Sequence, residues 1–249
     1  MAHLRHELAE IDGGFGASGP ACDVCPVAES AFCARLDERG QAYYRAHVCH
    51  LRFGRNTPVL THGRPHHRLL ILTHGVARLT RTIYNGCRQV LAFHYPGDIV
   101  SFGDYETIWD ADLETVTACR LCSLEYEQTE ALRRRSPGFD HLLLVAAQQQ
   151  IKQHQLHLFN LGRTTALQRV AALLLALQSR CPAPGMADDC FAIPMGRADI
   201  ADHLILQVET VSRGFAKLVQ LGAIALPKPT KVRLLDRRLL QDLADGTKT

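Results

Sequence analysis

The chain has 249 residues, enough for one large or two modest domains with a real buried core. Its 28 Lys and Arg against 25 Asp and Glu leave a formal net charge of +3, so any grip on a polyanion must come from a local basic surface and not from bulk charge. No apolar run approaches the roughly 18 residues that cross a bilayer, and the opening MAHLRHELAEIDGG lacks the apolar centre of a signal peptide, which predicts a cytoplasmic protein.

Nine cysteines in a reducing compartment are poor candidates for structural disulfides, and an odd number leaves one unpaired. Residues 1–36 read as a Gly-rich tail carrying Cys22, Cys25 and Cys33 in a C-x2-C-x7-C pattern. Loops let several thiolates converge on one centre, and soft thiolates select zinc or an iron-sulfur cluster; the spacing leaves both open. Cys25-Pro26 matches a cysteine-proline pairing found beside some cluster ligands. Three ligands are one short of a closed site, so the fourth must come from Cys49, Cys87, Cys119, Cys122, Cys181 or Cys190.

Residues 37–136 read as a sensor domain of short β-rich runs separated by turns: VCHLRF, PVLTHG, RLLILTHGVARLTRTI and RQVLAFHYPGDIVSF. Repeated short strands predict a sandwich or roll. Asn85-Gly86 signals a hairpin, and Gly54, Gly75, Gly97 and Gly103 fall at turns where positive φ is expected. On a strand over 113–124, Cys119 and Cys122 are three residues apart and face opposite ways, so one of the two can meet the tail. His62, His66, His67, His74 and His94 raise a different reading, a metal-dependent cupin-type enzyme, against which His66-His67 beside Pro65 reads as a solvated turn.

Residues 137–163 predict a dimerisation helix. Leu144, Ile151 and Leu158 recur every seven residues, and the polar run QQQIKQHQ leaves only a narrow apolar stripe suited to a homodimer seam.

Residues 164–249 predict a winged helix-turn-helix. A first helix, Arg197 to Leu204, buries Ile200, Ala201 and Leu204, and a short junction leads to a second helix. There Val208, Val211, Phe215, Leu218 and Val219 are expected inward, while Glu209, Ser212, Arg213 and Ala216 form an outward ridge that fits a major groove. Gly222 ends that helix, and strands over 223–226 and 232–235 flank a turn that brings Lys228, Lys231 and Arg233 toward phosphates. Arg213 suits a guanine edge, Glu209 a cytosine amino group, and Ser212 a base or a thymine methyl. Two-fold pairing would set two such helices about 34 Å apart on a palindrome.

The ETVSR run, Glu209 to Arg213, resembles the signature of the FNR branch of the Crp/FNR transcription regulators, and FHYPGDIVSFG resembles the β-roll of cyclic-nucleotide-binding-like domains. The resemblance implies an α+β chain: an N-terminal cyclic-nucleotide-binding-like β-roll, a long dimerisation helix and a C-terminal winged helix-turn-helix. It implies Glu209, Ser212 and Arg213 as the base-reading trio on a TTGAT-N4-ATCAA-like site, and RNA polymerase as a partner. Oxygen-sensing members carry three N-terminal cysteines and one in the effector domain, and C-x2-C-x7-C resembles the alphaproteobacterial variant. That implies Cys22, Cys25, Cys33 and Cys122 as ligands of a 4Fe-4S cluster. The segment FGDYETIWDADLETVTA lacks the arginine of a cyclic-nucleotide pocket, so no cyclic nucleotide is expected. The chain also departs from the family in placing Ile205 where glycine is usual; a left-handed backbone there costs a β-branched residue about 1–2 kcal/mol. A rival within the family is a cluster-free regulator or one answering nitric oxide through haem.

Overall fold

A computed structural model describes residues 22, 25–27, 32–82, 86–102, 110–162, 165–181 and 189–247. They divide into two compact units, one within Met1–Asn85 and Leu91–Gln150, the other within Gly86–Val90 and Ile151–Thr249.

The first unit opens with a 3-10 turn (Phe32–Arg35) and helix α1 (Glu38–His47). Eight strands follow: β1 (Cys49–Phe53), β2 (Pro58–Leu60), β3 (Arg68–His74), β4 (Ala77–Thr82), β5 (Arg88–His94), β6 (Ile99–Phe102), β7 (Asp112–Thr115) and β8 (Cys119–Glu125). They form two four-stranded sheets, in the orders β1-β8-β3-β6 and β2-β7-β4-β5. This is the expected roll.

The strand period of two divides the core. Leu70, Leu72, Leu121 and Cys119 face the roll interior with Leu51, Phe53, Val100 and Leu113. Leu69, Ile71, Cys122 and Leu124 face the other way, against Phe32, Leu36 and Tyr44 and against Leu132 and Phe139 of the helices that follow, α2 (Tyr126–Arg135) and α3 (Phe139–Leu161). A sheet buried on both faces needs an unbroken apolar run, and RLLILTH on β3 supplies it.

Gly75 and Gly97 take positive φ, 86° and 98°. At Gly75 an added Cβ would stand 2.3 Å from the Ala118 carbonyl, so a side chain is excluded on two counts. Gly54 corrects the expectation: it is absent from the positive-φ glycines, and Asn56, two residues on, takes φ 52° in its place. Gly103 and Asn85 lie outside the described residues.

Helix α3 runs 23 residues, its part to Gln150 grouping with the first unit and its part from Ile151 with the second. Leu144, Ile151 and Leu158 are 55%, 55% and 67% exposed, joined by Leu156 and Phe159.

The second unit holds α4 (Ala166–Arg180), β9 (Cys190–Ala192), α5 (Arg197–Leu204), α6 (Val208–Gln220), β10 (Ile224–Lys228), β11 (Lys231–Leu234) and α7 (Arg237–Asp245). Thr165 and Gln168 make a reciprocal capping box at the start of α4. The wing is a three-stranded sheet, β10-β11-β9, whose third strand carries no distinct sequence signal because it is only three residues long. Ile193, Ile200, Leu204, Val211, Phe215, Leu218, Ile224 and Val232 are buried with Val170 and Leu174 of α4.

Candidate metal centre and nucleic-acid interface

Cys22, Cys25, Cys33 and Cys122 line one pocket of the first unit. Cys33 lies in the 3-10 turn, whose Phe32 is buried, and Gln41 of α1 donates from Nε2 to the Ala34 and Leu36 carbonyls at 3.1 and 2.9 Å. Asp37 then caps α1 by accepting from Gly40 N at 3.0 Å and from Ser136 Oγ at 2.6 Å. These bonds tie the segment after Cys33 to α1 and to Ser136 at the end of α2. Cys122 comes from the middle of β8, on the face that Ile71 and Leu124 share. Cys119 instead turns into the roll interior, where its thiol donates to the Val76 carbonyl at 3.4 Å.

Cys33 and Cys122 hold their protons firmly. Burial raises Cys33 to about 11, with the neighbouring Cys25 and Cys22 adding to it. Burial raises Cys122 to about 12, opposed by a hydrogen bond from Tyr44 and reinforced by Cys33, Cys22 and Cys25. Thiols that raise one another in this way share a site, and a bound cation is what would let them ionise together. Arg45, Arg52, Arg120 and His50 also line the pocket, among neutral residues such as Pro26, Gln41, Leu51 and Ile71. Arg52 and Arg120 stand directly opposite across β1 and β8, an arrangement of like charges that is unfavourable unless an anionic group lies nearby.

Among the described residues, no three His, Cys, Asp or Glu side chains converge to hold a single metal ion. The cavity of about 120 Å³ is far larger than the roughly 10–15 Å³ that one water-sized occupant needs. A multi-iron cluster takes each thiolate on a different iron and so spreads its ligands more widely than one zinc ion does. Four thiols lining one pocket are the donor type that zinc or an iron-sulfur cluster takes. The histidines of the enzyme reading lie apart from this pocket: His62 is 55% exposed beside Asp110, and His94 is buried next to Asp98. His66 and His67 are half-buried, correcting the solvated turn, and burial first, then Arg68, lowers His66 to about 4.

In the second unit, Glu209, Ser212, Arg213 and Ala216 all lie exposed on α6, while Val211, Gly214, Phe215 and Leu218 are buried. Val208 and Val219 are exposed, a correction to the inward set; at the two ends of α6 the apolar face has run past its supports. Arg213 reaches back to Thr210 Oγ1 at 3.3 Å. Gly222, at φ 75°, closes the helix by a Schellman arrangement, with Gly222 N donating to the Val219 carbonyl and Ala223 N to that of Leu218. Ile205 between α5 and α6 takes φ 54°, ψ 56°, a left-handed backbone. Lys228 is exposed at the wing, Lys231 half-exposed, and Arg233 lies 3.9 Å from Asp189. The residues that sequence reasoning missed are His50 and Arg52, brought by the pairing of β1 with β8, Arg120, two residues before Cys122 on β8, and Tyr44, brought by α1.

Among the described residues no helix is long and apolar enough to cross a membrane. The cyclic nucleotide-binding domain family matches residues 50–136, and the Crp-like helix-turn-helix domain family matches residues 168–243. The nitrogen fixation regulation protein FixK of Bradyrhizobium diazoefficiens is 31% identical over 84% of this chain and 88% of its own length. The transcriptional activator protein FnrL of Cereibacter sphaeroides is 28% identical over 91% and 93%. The solved structure of FixK2 from Bradyrhizobium japonicum is 25% identical and superposes with a TM-score of 0.71, covering 79% of this chain and 96% of that one.

Proposed function

The chain belongs to the Crp/FNR family of transcription regulators, and from that we propose that it is a DNA-binding homodimer whose grip on promoters is set by an oxygen-labile 4Fe-4S cluster. Cys22, Cys25, Cys33 and Cys122 are its ligands. The observation that carries the reading is that these four thiols line one pocket, three from a segment before α1 and one from the middle of a sheet.

When bound, the cluster supplies an oxidisable centre that ties the N-terminal segment to the roll. The chain's own residues do the rest. Phe32, next to Cys33, packs on Phe139 at the start of α3, so the placement of the cysteine turn bears on the helix that carries the exposed Leu144, Ile151 and Leu158. Pairing along that row sets two α6 helices on a TTGAT-N4-ATCAA-like palindrome, where Glu209, Ser212 and Arg213 read bases and Lys228 and Lys231 meet phosphates. The roll serves here without a cyclic nucleotide, and RNA polymerase is the downstream partner in the cytoplasm.

Anaerobic purification with iron and sulfide analysis, followed by DNA binding with and without air, tests this. Four iron and four sulfide per chain, lost with binding on aeration, are expected. Cys25→Ser and Cys122→Ser should abolish iron retention while Cys119→Ser retains it. An iron-free protein that binds DNA equally in air overturns the reading.

A further inference from the structure

Cys122 differs from the other three thiols in its surroundings. On antiparallel β1 and β8 its register partner is His50, so the two side chains leave the sheet on the same face. The Nδ1 atom of His50 stands 3.5 Å from Cys122 Sγ. From the α1 side the buried Tyr44 also hydrogen-bonds to the same sulfur. A protonated thiol can donate to a ring nitrogen, but a thiolate only accepts. Once Cys122 ligates a metal, both neighbours must therefore be donors, Nδ1–H of His50 and the hydroxyl of Tyr44.

We infer that His50, with Tyr44 behind it, sets the reduction potential of the proposed cluster by hydrogen-bonding to the sulfur of Cys122. Hydrogen bonds to cluster sulfurs stabilise the more negative, reduced form and raise the potential. The register that fixes His50 opposite Cys122 is built from five consecutive residue pairs between β1 and β8, so this donor is held by the sheet and does not depend on the N-terminal segment. Cys22 and Cys25 lie in that segment. These hydrogen bonds would withdraw charge from the sulfur of Cys122, so a cluster held there would resist oxidation more than it would without them.

The inference rests on the proposed cluster, and the experiment separates the two. Wild-type protein, His50→Leu, His50→Gln and Tyr44→Phe are purified anaerobically as full chains, assayed for iron and sulfide, titrated spectroelectrochemically and then exposed to air while the cluster absorbance decays. His50→Leu should keep its iron but shift the redox equilibrium about tenfold toward the oxidised form, about 59 mV lower for a one-electron couple. Its absorbance should bleach severalfold faster, roughly in step with that shift. His50→Gln, which restores an N–H donor, should recover much of the difference, and Tyr44→Phe should shift the potential in the same direction. If His50→Leu fails to assemble, Tyr44→Phe, which removes only a hydroxyl, carries the comparison. Iron-loaded variants with wild-type potential and bleaching overturn the inference and leave the cluster reading intact; a wild-type protein without iron or sulfide overturns both.

Discussion

Phe32 and Phe139 meet edge to face, their ring centroids 5.4 Å apart and their planes at 82°. One ring follows the segment that carries Cys22 and Cys25 and adjoins Cys33; the other is the first residue of α3. Both are buried, Phe139 completely. Truncating either to alanine should lower the stability of the first unit by about 3–5 kcal/mol. A double-mutant cycle in urea should return a coupling of about 0.5–1.5 kcal/mol for the pair, and a coupling near zero would mean that the rings do not act together. In DNA binding, Phe32→Ala should retain iron yet narrow the ratio between anoxic and aerated affinity.

Arg213 and Lys228 should separate specificity from affinity. Arg213→Ala is expected to relax discrimination at one base pair by about 1–3 kcal/mol, read by competition between palindromes that differ at that position. Lys228→Ala should weaken all sequences alike and flatten the slope of log affinity against log salt by about 1. Equal losses on every sequence with Arg213→Ala would remove it from base reading.

Ile205 bears a strained backbone, φ 54°, with its side chain exposed. Ile205→Gly relieves about 1–2 kcal/mol of left-handed strain and gives back about 0.4–1 kcal/mol through the freer unfolded chain. A net stabilisation of roughly 0.5–1 kcal/mol, measured as a shift in urea midpoint, is expected. Destabilisation would show that the isoleucine side chain contributes packing that outweighs its strain.

His203 is buried on α5 with its ring stacked on His157, centroids 3.9 Å apart. Burial first, then the adjacent His157, pushes it down to about 3. An unfolded histidine titrates near 6.5, so between about pH 6.5 and 3 the unfolded chain binds a proton that the folded one refuses. Stability of the second unit is therefore full above that window and falls as pH drops through it. His203→Leu should flatten the acid side of the urea-midpoint profile between pH 6.5 and 4; an unchanged slope would assign the acid sensitivity to other groups.

Much of this was legible in local pattern. An odd separation puts Cys119 and Cys122 on opposite faces of any strand, and spacing of three and four puts Glu209, Ser212, Arg213 and Ala216 on one face of any helix. Gly222 ended α6 as its chemistry required, and Ile205 took the left-handed turn at which glycine is usual. Where α6 outran its neighbours, the same pattern misassigned Val208 and Val219.

Sequence by itself determined which residues could share a face, because periods of 2 and 3.6 follow from backbone geometry within a few residues. Tertiary structure alone decided which faces meet: His50 opposite Cys122, 72 positions away, and Phe32 against Phe139. Those pairings come from strand register and helix packing between distant segments, where the free energy lies in burying two surfaces together and no local propensity encodes the partner.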